Sequence, residues 1–369
     1  MTVMNQGNQP APTVASLFSG AGGLDRGFEN AGFRVAWANE YDKDIWATYR
    51  RNFPTAALDT RSIMDVDPTD IPDCDGFIGG PPCQSWSEAG ELRGINDHRG
   101  RLFFEYVRLL ETKRPLFFLA ENVSGITFGR HSKALRKILS QFSRIGYNTS
   151  YYLLNANDYG VAQDRERVII VGYLAQYGKH FQPPAFSQRG LTLKDVIWDL
   201  RNSAVPALEK NRSNPRCKIA NHEYFQGGFS SIYMSRNRVR PWNRPSFTIQ
   251  AGGRHAPLHP QAPEMVLVGR DKRQFVEGGK YRRLSVRECA RIQSFPDSHY
   301  FIYEDVGDGY KMIGNAVPVN FGAALARHIL GDISQFDLSR RSQFSPGFIV
   351  HGVTARESST AKSSRRIAL

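Results

Sequence analysis

The stretch Val14-Ala15-Ser16-Leu17-Phe18-Ser19-Gly20-Ala21-Gly22-Gly23-Leu24 decides the fold. The apolar run Val14 to Phe18 reads as a short buried strand. Gly20, Gly22 and Gly23 then form a tight turn whose bare backbone lets a ligand approach closely. Asp25 to Ala31 reads as a helix closed by Gly32, and Phe33 to Ala38 as a second strand ending at Asn39-Glu40-Tyr41. Strand, glycine turn, helix, strand and acid is the order of a nucleotide-binding unit, in which the acid accepts from ribose hydroxyls. The spacing Gly20-x-Gly22-Gly23 is shorter than the dinucleotide fingerprint, and no phosphate-binding lysine accompanies it. A nucleoside without phosphates is therefore the expected ligand, and S-adenosylmethionine fits. The turn by itself reads equally well as a purely structural one; Glu40 in register is what favours a ligand.

The same alternation continues outward. Asp44 to Arg51, Leu102 to Leu110 and Lys133 to Ile145 have helical patterns, while Asp75 to Ile78, Leu116 to Ala120, Tyr151 to Leu154 and Arg167 to Gly172 read as strands. This predicts an α/β fold with a mainly parallel, doubly wound, Rossmann-like sheet across 14–185. From 186 to 285 Pro, Asn, Arg and Gly rise and the alternation fades, as expected of a smaller, irregular recognition domain. Ser285 is placed to cap a helix over Val286–Gln293, and Phe321 to Leu330 reads as a helix returning to the main body, so 286–335 completes both parts. Residues 1–13 are expected to be a disordered leader and 336–369 a disordered basic tail.

A second informative stretch is Gly79-Gly80-Pro81-Pro82-Cys83-Gln84, which follows the apolar Gly76-Phe77-Ile78. Two prolines fix φ twice and remove two backbone donors, so the loop is stiff. Cys83 is thus presented at a strand terminus, where open α/β sheets carry their chemistry. A buried structural cysteine is the competing reading of Cys83 alone. The four cysteines, Cys74, Cys83, Cys217 and Cys289, contain no close C-x-x-C pair, so no zinc site is expected and a reducing compartment would keep them as thiols. No apolar run reaches membrane-spanning length, and the polar start of the chain lacks a signal pattern; a cytoplasmic location is expected.

The net charge of +13 is unevenly distributed: 186–285 holds 18 Lys and Arg against 7 Asp and Glu, and 336–369 holds 6 against 2. A near-neutral body with one basic insert points to a polyanionic partner on that insert. Arginine donates two hydrogen bonds to guanine in the major groove, so Arg236, Arg238, Arg240 and Arg254 are candidates for reading a G·C-rich target, two of them through bases and the others through phosphates.

In order along the chain, Phe18-Ser19-Gly20-Ala21-Gly22-Gly23, Glu40, Gly79-Gly80-Pro81-Pro82-Cys83-Gln84, Arg99-Gly100-Arg101-Leu102-Phe103, Glu121-Asn122-Val123, Gln163-Asp164-Arg165-Glu166-Arg167, Arg287-Glu288-Cys289-Ala290-Arg291 and Gly314-Asn315-Ala316-Val317-Pro318 resemble the bacterial DNA (cytosine-5) methyltransferases over about 14–330. Within that family the stretches 80–88 and 234–240 are most similar to the GGCC-modifying members of restriction–modification systems. The resemblance implies methyl transfer from S-adenosylmethionine, without a metal, to C5 of a cytosine flipped out of double-stranded DNA. Cys83 is implied to add as a thiolate at C6, making C5 nucleophilic; once C5 carries the methyl group, its proton leaves and Cys83 is expelled by elimination. Glu121 is implied to hold or donate a proton at N3, and Arg165 to favour the thiolate. The cofactor is implied to contact Phe18, Gly20, Gly22, Gly23, Glu40, Tyr41, Ser62, Pro81, Leu102, Asn315 and Val317. DNA contacts fall to Gln84, Ser87, Gln163, Arg167, Thr248 and the four arginines. Gln163, Arg165 and Arg167 are expected to alternate along one strand and share a face. One departure is Ser62, in Arg61-Ser62-Ile63, where the family often carries an acid for the adenine amino group; Asp59 or Asp65 is the expected stand-in. A monomer paired functionally with a restriction endonuclease is expected. An RNA cytosine-5 methyltransferase and a catalytically silent DNA-binding module are the alternatives; the basic insert disfavours the first, and intact Cys83, Glu121 and Arg165 the second.

Overall fold

The computed structural model describes residues 10–82, 98–127, 131–185, 190–338 and 364–365. The first strand, β1 (Thr13–Leu17), pairs in parallel on one side with β2 (Arg34–Asn39) and on the other with β4 (Gly76–Gly79). β3 (Ala57–Asp59) extends the sheet beyond β2, and β5 (Phe117–Val123) lies parallel beyond β4. β7 (Glu166–Leu174) runs antiparallel between β5 and β6 (Tyr147–Asn155). The order is therefore β3-β2-β1-β4-β5-β7-β6, mainly parallel with one reversed strand. The chain reverses direction in the sheet beside β1 and β4, so the loops after these strands open into one crevice.

Alternation along the strands sends side chains to two cores. Ala15, Leu17, Phe77 and Phe118 face α3 (His98–Lys113) and α4 (His131–Arg144), where Tyr106 and Phe142 meet them. Val14, Ile78, Phe117 and Leu119 face α1 (Gly23–Asn30) and α8 (Val319–Ile333), through Phe28, Phe321 and Leu325. Gly27 of α1 is required by this contact: a Cβ there would lie 2.7 Å from the Ala323 nitrogen and 2.8 Å from the Val319 oxygen. α2 (Lys43–Asn52) flanks β3 after its Asp42 cap.

A third core belongs to the smaller part of the chain. α5 (Leu193–Ile197) packs there with α6 (Val286–Ile292) and α7 (Val306–Asn315), through Leu193, Ile197, Val286, Cys289, Tyr310 and Ile313. Segments inside the basic insert and after it thus share one core. Ser285 caps α6 as expected: its side chain takes the Glu288 N–H while Glu288 accepts the Ser285 N–H, a reciprocal capping box. The basic insert adds two small strand pairs, β8 (Val205–Pro206) with β9 (Glu223–Tyr224) and β10 (Val266–Gly269) with β11 (Lys272–Gln274). It also has a core of its own around Tyr233, Val239, Leu258 and Met265.

Five features named here differ from the sequence reading. β3, α5 and α7 were not anticipated, α8 runs to Ile333, and a two-residue strand in the basic tail, β12 (Ser364–Arg365), pairs with Leu153 and Leu154 of β6. No helix among the described residues is long and apolar enough to cross a membrane.

Candidate active site

The glycine turn is held in place by the acid it was expected to serve with. Gly20 and Gly22 adopt left-handed φ of 56° and 79°, and Phe18 joins them at 55°. Glu40, at the end of β2, accepts the Gly20 N–H at 2.8 Å and the Asp42 N–H at 2.7 Å, one on each carboxylate oxygen. Burial pushes this carboxyl up from its ordinary range, and the two backbone donors partly offset the shift. Each oxygen keeps a further lone pair for a ligand hydroxyl. A Cβ on Gly20 would meet nothing within 4 Å, so the turn borders open space, whereas Gly23 touches the return segment: a Cβ there would lie 2.3 Å from the Val317 oxygen. Val317 is buried and Asn315, at the end of α7, is exposed. Phe18 and Leu102 both lie at the margin of the α3–α4 core, so they have a packing role and remain available at its edge. Tyr41 is 71% exposed.

Ser62 caps a short 3-10 turn by accepting the Met64 N–H. Of its expected stand-ins, Asp59 is engaged by Arg61, which also pairs with Asp70, and Asp65 is exposed. Arg61 holds the Asp59 carboxyl below its usual range. The donor set suits a nucleoside without phosphates: a buried carboxylate, a glycine backbone bordering open space, and an apolar margin. S-adenosylmethionine fits it. Among the described residues no group of three His, Cys, Asp or Glu is arranged to hold a metal ion.

Next to this crevice, the loop after β4 meets the end of β5. Asn122 donates from Nδ2 to the Pro81 carbonyl at 2.9 Å and accepts the Val123 N–H at 2.9 Å. This side chain fixes the approach to the cysteine loop from the strand next door. Pro81, Pro82, Ala120, Glu121, Asn122 and Ile126 line a small cleft there. A Cβ on Gly80 would lie 3.3 Å from Glu121 Oε2, so the glycine gives the carboxylate its room. Cys83, Gln84 and Ser87 lie outside the described residues.

The arginines require a correction. Arg167, on β7 opposite Val123, pairs with Glu121 through Nε–Oε1 at 2.9 Å, and both side chains are nearly buried, at 13% and 11% exposure. Arg165 does not pair with Glu121. Its buried guanidinium donates from Nη1 to the Ile249 carbonyl at 3.1 Å and from Nη2 to those of Gly314 and Ala316, both at 3.0 Å. Desolvation, helped by Arg167, pushes Arg165 down to about 9. Gln163 is corrected as well. It is fully buried, accepts the Ile249 N–H at 2.7 Å and donates to Gln293 at 2.8 Å, so it faces protein and not DNA. The expected shared face fails because the strand begins at Glu166; Gln163 and Arg165 precede the ladder and turn inward.

Thr248 also spends its hydroxyl internally, on the Asp164 carbonyl at 2.6 Å. The four insert arginines divide. Arg238 stacks 4.8 Å over Tyr233 and donates to the Tyr233 and Ile232 carbonyls. Arg240 lies 4.2 Å over Phe247 and pairs with Asp164. Arg236 and Arg254 are exposed. The Glu121–Arg167 pair was the main feature the sequence reading missed. Its signal was the second arginine of Arg165-Glu166-Arg167, the one inside the strand.

Comparison with known proteins bears on this geometry. Residues 13–331 match the family model for C-5 cytosine-specific DNA methylase. Type II methyltransferase M.FnuDI of Fusobacterium nucleatum is 53% identical over 322 residues, covering 86% of this chain and 93% of the relative. Type II methyltransferase M.MthTI of Methanothermobacter thermautotrophicus is 54% identical over 323 residues, covering 87% and 97%. In fold, a crystal structure of a putative DNA modification methyltransferase encoded within an E. coli prophage superposes with TM-score 0.67 at 23% identity, covering 88% of this chain and all of the other. Spodoptera frugiperda DNMT2 gives 0.63 at 18% identity, covering 87% of this chain and all of the other. With the glycine turn and its acid, the Pro-Pro loop and the paired glutamate in one crevice, the chain belongs to the C-5 cytosine-specific DNA methylase family, as a methyltransferase related to the Type II enzymes of restriction–modification systems.

Proposed function

We propose that the protein transfers a methyl group from S-adenosylmethionine to C5 of a cytosine flipped out of double-stranded DNA, within GGCC, and so protects DNA from a cognate restriction endonuclease. It acts as a monomer in the cytoplasm. The observation that carries this reading is the Glu121–Arg167 pair set against Gly80 and Pro81, on the loop that leads to Cys83. When bound, S-adenosylmethionine supplies an electrophilic methyl group. Glu40 and the backbone of Gly20 would hold its ribose end, with Phe18, Leu102 and Val317 around its apolar portion and Tyr41, Ser62, Pro81 and Asn315 at its margins.

Cys83 adds to C6 of the cytosine. As negative charge builds on the ring, Glu121 meets it at N3 with a proton or a strong hydrogen bond. Arg167 fixes the Glu121 carboxylate at one oxygen and leaves the other, beside Gly80, for the base. Asn122 keeps the Pro81 carbonyl, and with it the start of the cysteine loop, in register with Glu121. Arg236 and Arg254, exposed and without a carboxylate partner among the described residues, contact phosphates or base edges first. The test is a base-resolution methylation map of unmethylated plasmid incubated with protein and S-adenosylmethionine. Modification of one cytosine of GGCC is expected. Modification elsewhere removes the GGCC assignment, and no modification of DNA removes the proposal.

A further inference from the structure

We propose that Asp164 is a built-in counter-ion for Arg240, taking in the free protein the position that DNA takes in the complex, and so setting the threshold at which the recognition segment engages a duplex. The inference rests on the reading of the basic insert as the DNA-binding element. Arg240 Nη2 lies 3.1 Å from Asp164 Oδ2, and the two side chains are 27% and 42% exposed. Such a pair is accessible to an incoming anion, unlike the enclosed Arg165. The Arg240 guanidinium carbon lies over the Phe247 ring at 4.2 Å, a contact that holds the group without using its donors. Among the four candidate arginines of the insert, Arg240 alone pairs with a carboxylate within the described residues. Arg238 is spent on backbone carbonyls, and Arg236 and Arg254 stand exposed.

Asp164 itself cannot move far when Arg240 leaves. Its N–H donates to the Ser246 carbonyl at 2.9 Å, its carbonyl accepts the Thr248 hydroxyl at 2.6 Å, and its neighbours Gln163 and Arg165 are both bonded to Ile249. The carboxylate therefore stays beside the segment and continues to compete for Arg240. A phosphate that takes Arg240 lies beside the retained Asp164 carboxylate and is repelled by it, whereas a neutral guanine edge accepting two hydrogen bonds is not. Asp164 thus penalises loose, sequence-independent binding more than it penalises a matched site, and acts on specificity by positioning Arg240.

The test uses the full-length protein with two duplexes, one carrying the motif found in the methylation map and one scrambled, with affinity measured by fluorescence anisotropy over a salt series. Asp164→Asn and Asp164→Ser are compared in the natural chain and in an Arg240→Gln background, after their melting curves are checked against the parent. Both Asp164 variants are expected to bind the scrambled duplex about two- to fivefold tighter, the range for releasing a partly exposed ion pair. Their salt slope on that duplex is expected to steepen by about one counter-ion. The matched duplex should gain less, and in the Arg240→Gln background neither change should appear. Unchanged affinity in the natural chain, or the same gain in the Arg240→Gln background, would overturn the proposal, because the second result is bare charge removal. If the unsubstituted protein binds neither duplex, the DNA-binding reading of the insert falls instead.

Discussion

Replacing Arg165 by methionine separates the two arginines that the sequence could not. The side chain keeps an apolar stem but loses the guanidinium end and all three donated hydrogen bonds, leaving the buried carbonyls of Ile249, Gly314 and Ala316 without this partner. The Ala316 carbonyl keeps Gln293 Nε2 at 3.4 Å, so two buried carbonyls are left unsatisfied, and at ~1–3 kcal/mol each the gross loss is roughly 2–6 kcal/mol. Removing a desolvated charge returns part of it. A net destabilisation of about 3 kcal/mol is expected, and at ~2 °C per kcal/mol for a chain of this size the melting temperature should fall by about 6 °C. Scanning fluorimetry of the purified protein without ligands reads this directly, with DNA methylation measured well below the transition. Residual turnover at the lower temperature should exceed that of an Arg167 variant. An unchanged melting temperature with turnover abolished would refute the structural assignment of Arg165 and return it to the reaction.

Arg167→Lys should show the opposite pattern, with turnover reduced ~100-fold or more, the scale of a misplaced acid–base group, and a melting temperature close to the parent; methylation kinetics beside a melt decides it. Gly23→Ala puts a Cβ 2.3 Å from the Val317 oxygen, and S-adenosylmethionine binding by calorimetry should weaken about tenfold or more as the turn and the return segment separate, a loss of about 1.4 kcal/mol. Asp25 is buried at the start of α1, accepts from Ser16 and Tyr49, and is pushed by burial up to about 6 from 3.8. Between these values the folded chain holds a proton that the unfolded chain has released, so this group's contribution to stability is lost as pH rises through the window. Asp25→Asn should remove that decline, on the order of 3 kcal/mol across the window. Melting curves of both proteins from pH 4 to 8 that stay parallel would exclude it.

The sequence was most legible where local chemistry and fold agree. The glycine turn, Glu40 and the Pro-Pro loop each carry their backbone demand in their residue types, and the structure puts all three at one end of the sheet. The departures have particular causes. α7 contains Gly307, Gly309 and Gly314, which lower helix propensity, and Gly314 is there because a Cβ would strike the Gln250–Ala251 backbone at 2.3 to 2.4 Å. α5 carried a readable signal, the Thr192–Asp195 capping box, within a segment whose composition suggested irregular chain. The fates of Gln163 and Arg165 were not readable. Their partners Ile249, Gln293, Gly314 and Ala316 lie far along the chain, and only tertiary packing brings them together.

The contact between α1 and α8 also bears on how the protein is made. The glycine turn and its helix leave the ribosome long before α8, yet Gly23 leans on Val317 and Gly27 on Val319 and Ala323. A nascent chain halted before the last helix carries every residue of the turn and none of the surface that seats it. Translation thus seats the glycine turn only after α8 has been made, and a fragment lacking α8 has the motif without its support.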